Sequence, residues 1–191
     1  PLWVASSKGE KEVCKLLIDR GASIDAAADN RTTPLWTASS KGEKEVCKLL
    51  IDRGANIDIA VSDGRTILWI ASDYGYKEVC NMLLEKGASV DAAEISGWTA
   101  LIIASQKGRK EICNMLLKRG ASIDAANKYG ATSLRMASEK GHKGVCNLLL
   151  DRGAIVDAMD NDGRTPLHIA SSKGKKEVCE LLIDRGASID A

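Results

Sequence analysis

The sequence predicts an all-α repeat solenoid, built from stacked helix pairs joined by hairpin-like turns. Three observations carry this reading. Sliding the 191-residue chain against itself by 33 residues aligns six copies without a gap, the last copy having only 26 residues. Six cysteines, Cys14, Cys47, Cys80, Cys113, Cys146 and Cys179, recur at that spacing, so each holds the same place in a repeated unit. Glycines fall in three further columns, before the second apolar stretch (Gly42 and equivalents), after it (Gly54 and equivalents), and in the connecting segment (Gly64, Gly97, Gly130, Gly163). The repeats therefore run 1–33, 34–66, 67–99, 100–132, 133–165 and 166–191, as one domain. Phe is absent and aromatic residues make up 4% of the chain, so the core must be built from Leu, Ile, Val, Ala and Cys. Residues 1–27 and 34–60 differ only at Val4/Thr37, Ser23/Asn56 and Ala26/Ile59, the mark of a recent duplication.

The first helix of each unit opens on a threonine N-cap (Thr33, Thr66, Thr99, Thr132, Thr165), whose hydroxyl accepts from an early backbone N–H. Pro34 and Pro166 follow with a φ suited to the first helical position. About two turns later the glycine column ends it. Leu35, Ala38 and Ser39 fall at i, i+3 and i+4 on one stripe, and the same residue types hold those columns in all six copies. The second helix runs from roughly Lys44 to Arg53, with Glu43 and Glu45 at its positive end and Gly54 as the left-handed C′ residue. Val46, Cys47, Leu49, Leu50 and Ile51 give it a broad apolar surface. Neither helix reaches the roughly 12–15 residues at which an isolated helix becomes even marginal in water, so stability must come from packing between units. The connections are polar, with a glycine able to take positive φ. Arg31 replaces that glycine in the first connection. Either it takes the left-handed conformation at a cost of about 1–2 kcal/mol, or the turn shifts register onto Asn30, and this hairpin is expected to be the most irregular.

At Thr165, Pro166, Leu167, His168, Ile169 and Ala170, followed by Gly174, Leu181, Leu182 and Gly186, the chain resembles the ankyrin repeat, whose period is 33 and whose signature is T-P-L-H-x-A. The resemblance covers all six copies. It implies helix pairs with β-hairpin fingers projecting from them, forming a curved solenoid whose concave side of first helices and finger tips binds other proteins. Departures from the pattern are Trp3, Trp36, Trp69, Ile102 and Arg135 at the histidine place, and Ile67, Ala100 and Ser133 at the proline place. The middle units are thus the most diverged.

Chemistry beyond recognition finds little support. No nucleophile and base positioned by a third group is recognisable, so no catalytic residue is assigned. His142 and His168 fall on columns where the family resemblance implies structural histidines. His142 and Cys146 are four apart on one helix, but two ligands do not make a zinc site, and no metal or other cofactor is expected. Equivalent cysteines in stacked helices should lie about 8–10 Å apart, too far for a disulfide. They read as reduced core thiols, which favours an intracellular, cytoplasmic setting. No phosphate-binding glycine pattern is present. Lys+Arg 27 against Asp+Glu 26 leaves a net charge of +1, too balanced for a bulk polyanion binder. Lysine columns at the helix ends (Lys41 and Lys44 with their equivalents) read as solvated, helix-supporting stripes. An association with nucleic acid or acidic membrane through them is the weakest alternative. No apolar run approaches the roughly 20 residues of a membrane span, and no secretory leader pattern stands at Pro1.

Scaffold columns hold one residue type, so the variable columns mark surface free to differ. Ile95, Trp98 and Tyr129 at finger tips and Tyr74 at a first-helix end are apolar or aromatic side chains where interface anchors are expected. The candidate partner-binding set is Tyr74, Ile95, Trp98, Lys128, Tyr129 and Arg135, with Trp98 central and Lys128 and Arg135 contributing charge. The alternative is that Trp98 and Ile95 pack along their own finger. Trp3, Trp36 and Trp69, close to helix starts, read as structural. The end repeats keep the apolar residues of internal ones (Val178, Leu181, Leu182, Ile183), so the segment is either cut from a longer array or stacks end to end on another copy. The expected function is non-catalytic binding of a protein or peptide, with no small-molecule substrate. A spring-like spacer between other domains is the alternative.

Overall fold

A computed structural model describes residues 1–190, the side chain of Asp29 excepted. The chain divides into two compact units, Pro1–Ile95 and Ser96–Ala191. The first holds α1 (Leu2–Ser7), α2 (Lys11–Asp19), α3 (Pro34–Lys41), α4 (Lys44–Asp52), α5 (Ile67–Tyr74) and α6 (Lys77–Glu85). The second holds α7 (Ala100–Gln106), α8 (Lys110–Lys118), α9 (Ser133–Lys140), α10 (Lys143–Asp151), α11 (Pro166–Ser172) and α12 (Lys176–Asp184). Within each unit the first helices of successive repeats pack on one another, as do the second helices, and each first helix also packs on its own second helix. No helix among the described residues is long and apolar enough to cross a membrane.

The helix limits follow from capping. Each N-cap threonine accepts from the backbone N–H three residues on, Thr33 from Trp36 and Thr132 from Arg135, both at 3.2 Å. Every second helix ends before a positive-φ glycine, as Gly54 does after α4. The Leu–Ala–Ser stripe is buried: Leu35, Ala38 and Ser39 have no exposed surface. The apolar face of α4 is buried at Val46, Cys47, Leu50 and Ile51, with Leu49 half-buried.

Serine and cysteine columns meet across every helix pair. Oγ and Sγ lie 3.5–3.7 Å apart in Ser6–Cys14, Ser39–Cys47, Ser72–Cys80, Ser105–Cys113, Ser138–Cys146 and Ser171–Cys179. The six thiols are free, and five are buried. Burial pushes the thiols of Cys47, Cys113 and Cys146 up to about 11 and that of Cys80 to about 12, which keeps them protonated and unreactive.

Successive repeats interlock through specific contacts. The residue that opens a second helix covers the glycine ending the first helix of the preceding repeat, Glu43 over Gly9 and His142 over Gly108. A Cβ on Gly108, which has φ +70°, would fall 2.8 Å from the His142 ring. Asp25 accepts from Asn56 N–H and Asp58 from Ser89 N–H in the first unit, and Asp124 from Ile155 N–H in the second. Arg53 pairs with Asp19 at 2.7 Å and Arg185 with Asp151 at 2.8 Å.

The connections make short antiparallel bridges, Ala60 with Thr66 and Ala126 with Thr132. The first connection is irregular, as its arginine requires. A 3-10 turn spans Asp29–Arg31, and both Asn30 and Arg31 take positive φ, 60° and 63°. The two alternatives read from the sequence occur together.

Candidate functional site

Tyr74 and Ile95 belong to the first unit. Tyr74 is the last residue of α5, exposed, and its ring stacks on Tyr76 with centroids 5.8 Å apart. Ile95 is an exposed finger residue whose N–H donates to the Asp63 carbonyl at 2.9 Å. Of the three tryptophans of that unit read as structural, Trp69 is buried beneath the Arg65 guanidinium, 5.5 Å from the ring centroid, and Trp36 is half-buried, but Trp3 is exposed.

The other four candidates lie in the second unit, around a cleft of about 520 Å³ between first helices and fingers. Gln106 of α7 and Arg135, Met136 and Glu139 of α9 form its helical wall, and Trp98, Tyr129 and Arg164 stand on its finger side. Trp98 is half-buried against Ile102, Ala131 and Met136. It packs on its own scaffold and lines the cleft as well, so the two readings of this residue are not exclusive. Tyr129 is exposed at the rim. Lys128 is exposed but lies outside the cleft wall; its N–H donates to the Ser96 carbonyl, and its own carbonyl accepts from Asn161 Nδ2 at 2.8 Å.

Arg135 is held more tightly than its column suggests. Its guanidinium pairs with Glu139 at 3.0 Å and with Asp160 at 3.2 Å, leaving 14% of the side chain exposed. Asp160, 1% exposed, is the hub. Burial alone would raise its pKa, but hydrogen bonds from the Arg164 N–H and guanidinium, the Asp162 N–H and Arg135 outweigh that and hold it at about 2. Arg164 also pairs with Asp162, and Lys140 with Glu139 at 2.9 Å. The carboxylate thus ties the fifth finger to α9, and Arg135 reaches the cleft as a neutralised, oriented fork instead of a free positive charge.

Asn127, Met136 and Asp160 are site residues absent from the sequence-derived set. For two of them a signal existed: Asn127 and Asp160 each precede a finger glycine by three residues, the Asx-turn arrangement. Asn127 Oδ1 accepts from the N–H groups of Tyr129 and Ala131 at 2.9 and 3.0 Å, and Asp160 Oδ1 from those of Asp162 and Arg164, both at 3.0 Å.

Both histidines are occupied structurally. His142 Nε2 is 2.9 Å from the Gln106 carbonyl at the end of α7, and His168 completes a capping box with Thr165 at the start of α11. Among the described residues, no three His, Cys, Asp or Glu side chains are arranged to hold a metal. What the cleft offers is shape, aromatic surface and oriented hydrogen-bonding groups, the ingredients of recognition.

A search of curated proteins returns no match to the chain. A family model described as "Ankyrin repeats (3 copies)" matches residues 2–94, 62–127 and 121–191. With the twelve paired helices among the described residues, these matches establish that the chain belongs to the ankyrin-repeat family.

Proposed function

We propose that this chain is a non-catalytic interaction module that takes a protein or peptide segment in the cleft of its second unit. Ankyrin repeats are generally protein-interaction modules, and the family is typically non-catalytic. The observation that carries the reading is the cleft itself, with Trp98 anchored on one wall, Arg135 fixed by Asp160 and Glu139 on the other, and Tyr129 exposed at the rim. An anchored aromatic and a pre-oriented arginine lose little side-chain entropy on binding, which is what makes such residues dominate interface energetics. Lys128 contacts the partner beside the cleft, and Tyr74 and Ile95 are contact residues on the first unit. The six repeats act as one domain, and an intracellular setting suits free thiols held protonated by burial.

A spacer role is the competing reading. It is favoured by the charges of the cleft, which are satisfied internally through Asp160 and Glu139. Selecting peptides from a random displayed library on the wild-type chain separates the two. We expect enriched peptides whose affinity falls by about 2 kcal/mol, roughly thirtyfold, for Trp98→Ala with an unchanged helical CD spectrum. Peptides that bind both proteins equally would remove Trp98 from the site, and no enrichment would favour the spacer.

A further inference from the structure

We infer that the second unit carries another recognition surface besides the cleft, a basic ridge along the turns that join its first and second helices, and that this ridge takes an acidic segment of a partner protein. Charge is unevenly divided between the units: residues 1–95 hold 12 basic and 15 acidic side chains, residues 96–191 hold 15 and 11. The difference is concentrated in the helix-joining turns. Those of the first unit (7–12, 40–45 and 73–78) carry five basic and six acidic side chains, whereas their equivalents in the second (106–111, 139–144 and 172–177) carry eight and three. Two columns make most of this difference. Where the first two repeats have Glu10 and Glu43, the second unit has Arg109, His142 and Lys175, and the glutamate that recurs as Glu45 and Glu111 is replaced by Gly144.

The three turns touch, so the ridge is continuous. The His142 ring lies over Gly108, and Lys175 Cδ is 2.9 Å from the place a Cβ on Gly141 would take. In the first unit Lys11 Nζ reaches Glu45 of the next repeat at 3.8 Å. Lys110, its equivalent, passes 3.6 Å from the Cβ place of Gly144 and meets no carboxylate there. Among the described second helices α10 alone lacks an acidic residue in its first turn. Arg109, Lys110 and Lys143 are exposed, and Glu139, one of the three remaining carboxylates, is already engaged by Arg135 and Lys140. The turns hold no Trp or Tyr to stack a base and no apolar side chain to enter a lipid surface. Glu111 and Glu177 interrupt the basic groups, so a uniformly charged phosphate chain would meet repulsion at two of the three turns. A protein segment places its carboxylates only where they are answered. Stacked helices lie about 8–10 Å apart, and a polyproline-type segment advances about 9 Å in three residues, so an acidic side chain at every third position matches the turns one for one.

Fluorescence anisotropy of the 191-residue chain with a peptide of four Glu-Pro-Pro triplets, labelled with a neutral dye, tests this at about 0.1 M salt, where charges more than about 10 Å apart are largely screened and only close pairing registers. The test variant combines Arg109→Glu, Gly144→Glu and Lys175→Glu, which gives each place the residue type that the first unit bears there. These residues lie outside the cleft wall, Gly144 is helical with room for a Cβ, and Glu43 already fills over Gly9 the place that Lys175 fills over Gly141, so the fold is retained. A first-unit variant, Lys8→Glu with Lys41→Glu, controls for net charge. Wild type is expected to bind with a Kd below about 1 mM, the triple variant at least about tenfold more weakly, and the first-unit variant as tightly as wild type. No binding by wild type at about 1 mM, undiminished binding by the triple variant, or an equal loss in the first-unit variant would overturn the inference. So would tighter binding of wild type to a single-stranded oligonucleotide of the same charge, or to phosphatidylserine vesicles, than to the peptide.

Discussion

Leu116→Ala probes the coupling between repeats. Leu116 lies on α8 with no exposed surface, in a column where Leu50, Leu83, Leu149 and Leu182 are equally enclosed. Truncation to alanine removes three carbons from full burial, about 2.4 kcal/mol at about 0.8 kcal/mol per methylene. Neighbouring repeats close around the site, so a cavity term of about 24 cal/mol per Å³ adds to this, for a total of about 2–5 kcal/mol. Leu17 occupies the same column in the first repeat but is only half-buried, and its truncation leaves space open to water. Leu17→Ala is therefore expected to cost about 1 kcal/mol. Urea unfolding followed by CD at 222 nm measures both. Leu116→Ala should also broaden or split the transition, because in a linear array stability passes only between nearest neighbours. An unchanged midpoint for Leu116→Ala, or equal costs for the two variants, would refute the reasoning.

Two further substitutions test local features. Asp160→Asn should lower stability at pH 7 by about 1–3 kcal/mol by unpairing the Arg135 and Arg164 guanidinium groups. Because folded Asp160 titrates at about 2 against an ordinary 3.8, its contribution is complete above the ordinary value and is lost as pH falls toward 2. Melting curves of the two proteins should thus converge in acid, and a gap that does not change with pH would contradict the assignment. Arg31→Gly relieves about 1–2 kcal/mol of left-handed strain at φ 63° and costs part of that in unfolded-chain entropy, for a net gain of about 0.5–1 kcal/mol in denaturant titration. A loss of stability would show that the Arg31 side chain does more for the fold than its backbone costs.

Helix limits were legible because they are local. A threonine hydroxyl reaches only its own first turn, and a C′ glycine answers only its own φ, so those columns place α3 and α4 nearly to the residue. The burial of the cysteines was legible too, since a strict column on an apolar stripe faces the core. What the sequence hid are pairings across elements. Ser39 and Cys47 are separated by eight residues, a spacing that brings nothing together on one helix and does so only when two helices pack face to face. Asp160 and Arg135 are separated by 25 residues, and Asp160 sits in a column that reads Ala28, Val61, Glu94 and Asn127 in earlier repeats, so repetition gave no hint of a hub. Its sequence position suggests that Arg135 contributes charge to the contact surface, but Asp160 and Glu139 absorb that charge. For Trp98, its place at a finger tip indicated a role at the surface, but only its contact with Ile102, Ala131 and Met136 shows how the ring is anchored.

The most direct test of the account is the far-UV CD spectrum of a synthetic peptide covering residues 67–99, one whole repeat with α5 and α6 of eight and nine residues. If each repeat folds only against its neighbours, the peptide is unfolded in water while the intact chain is helical. A helical spectrum with a cooperative melt for the lone repeat would contradict it.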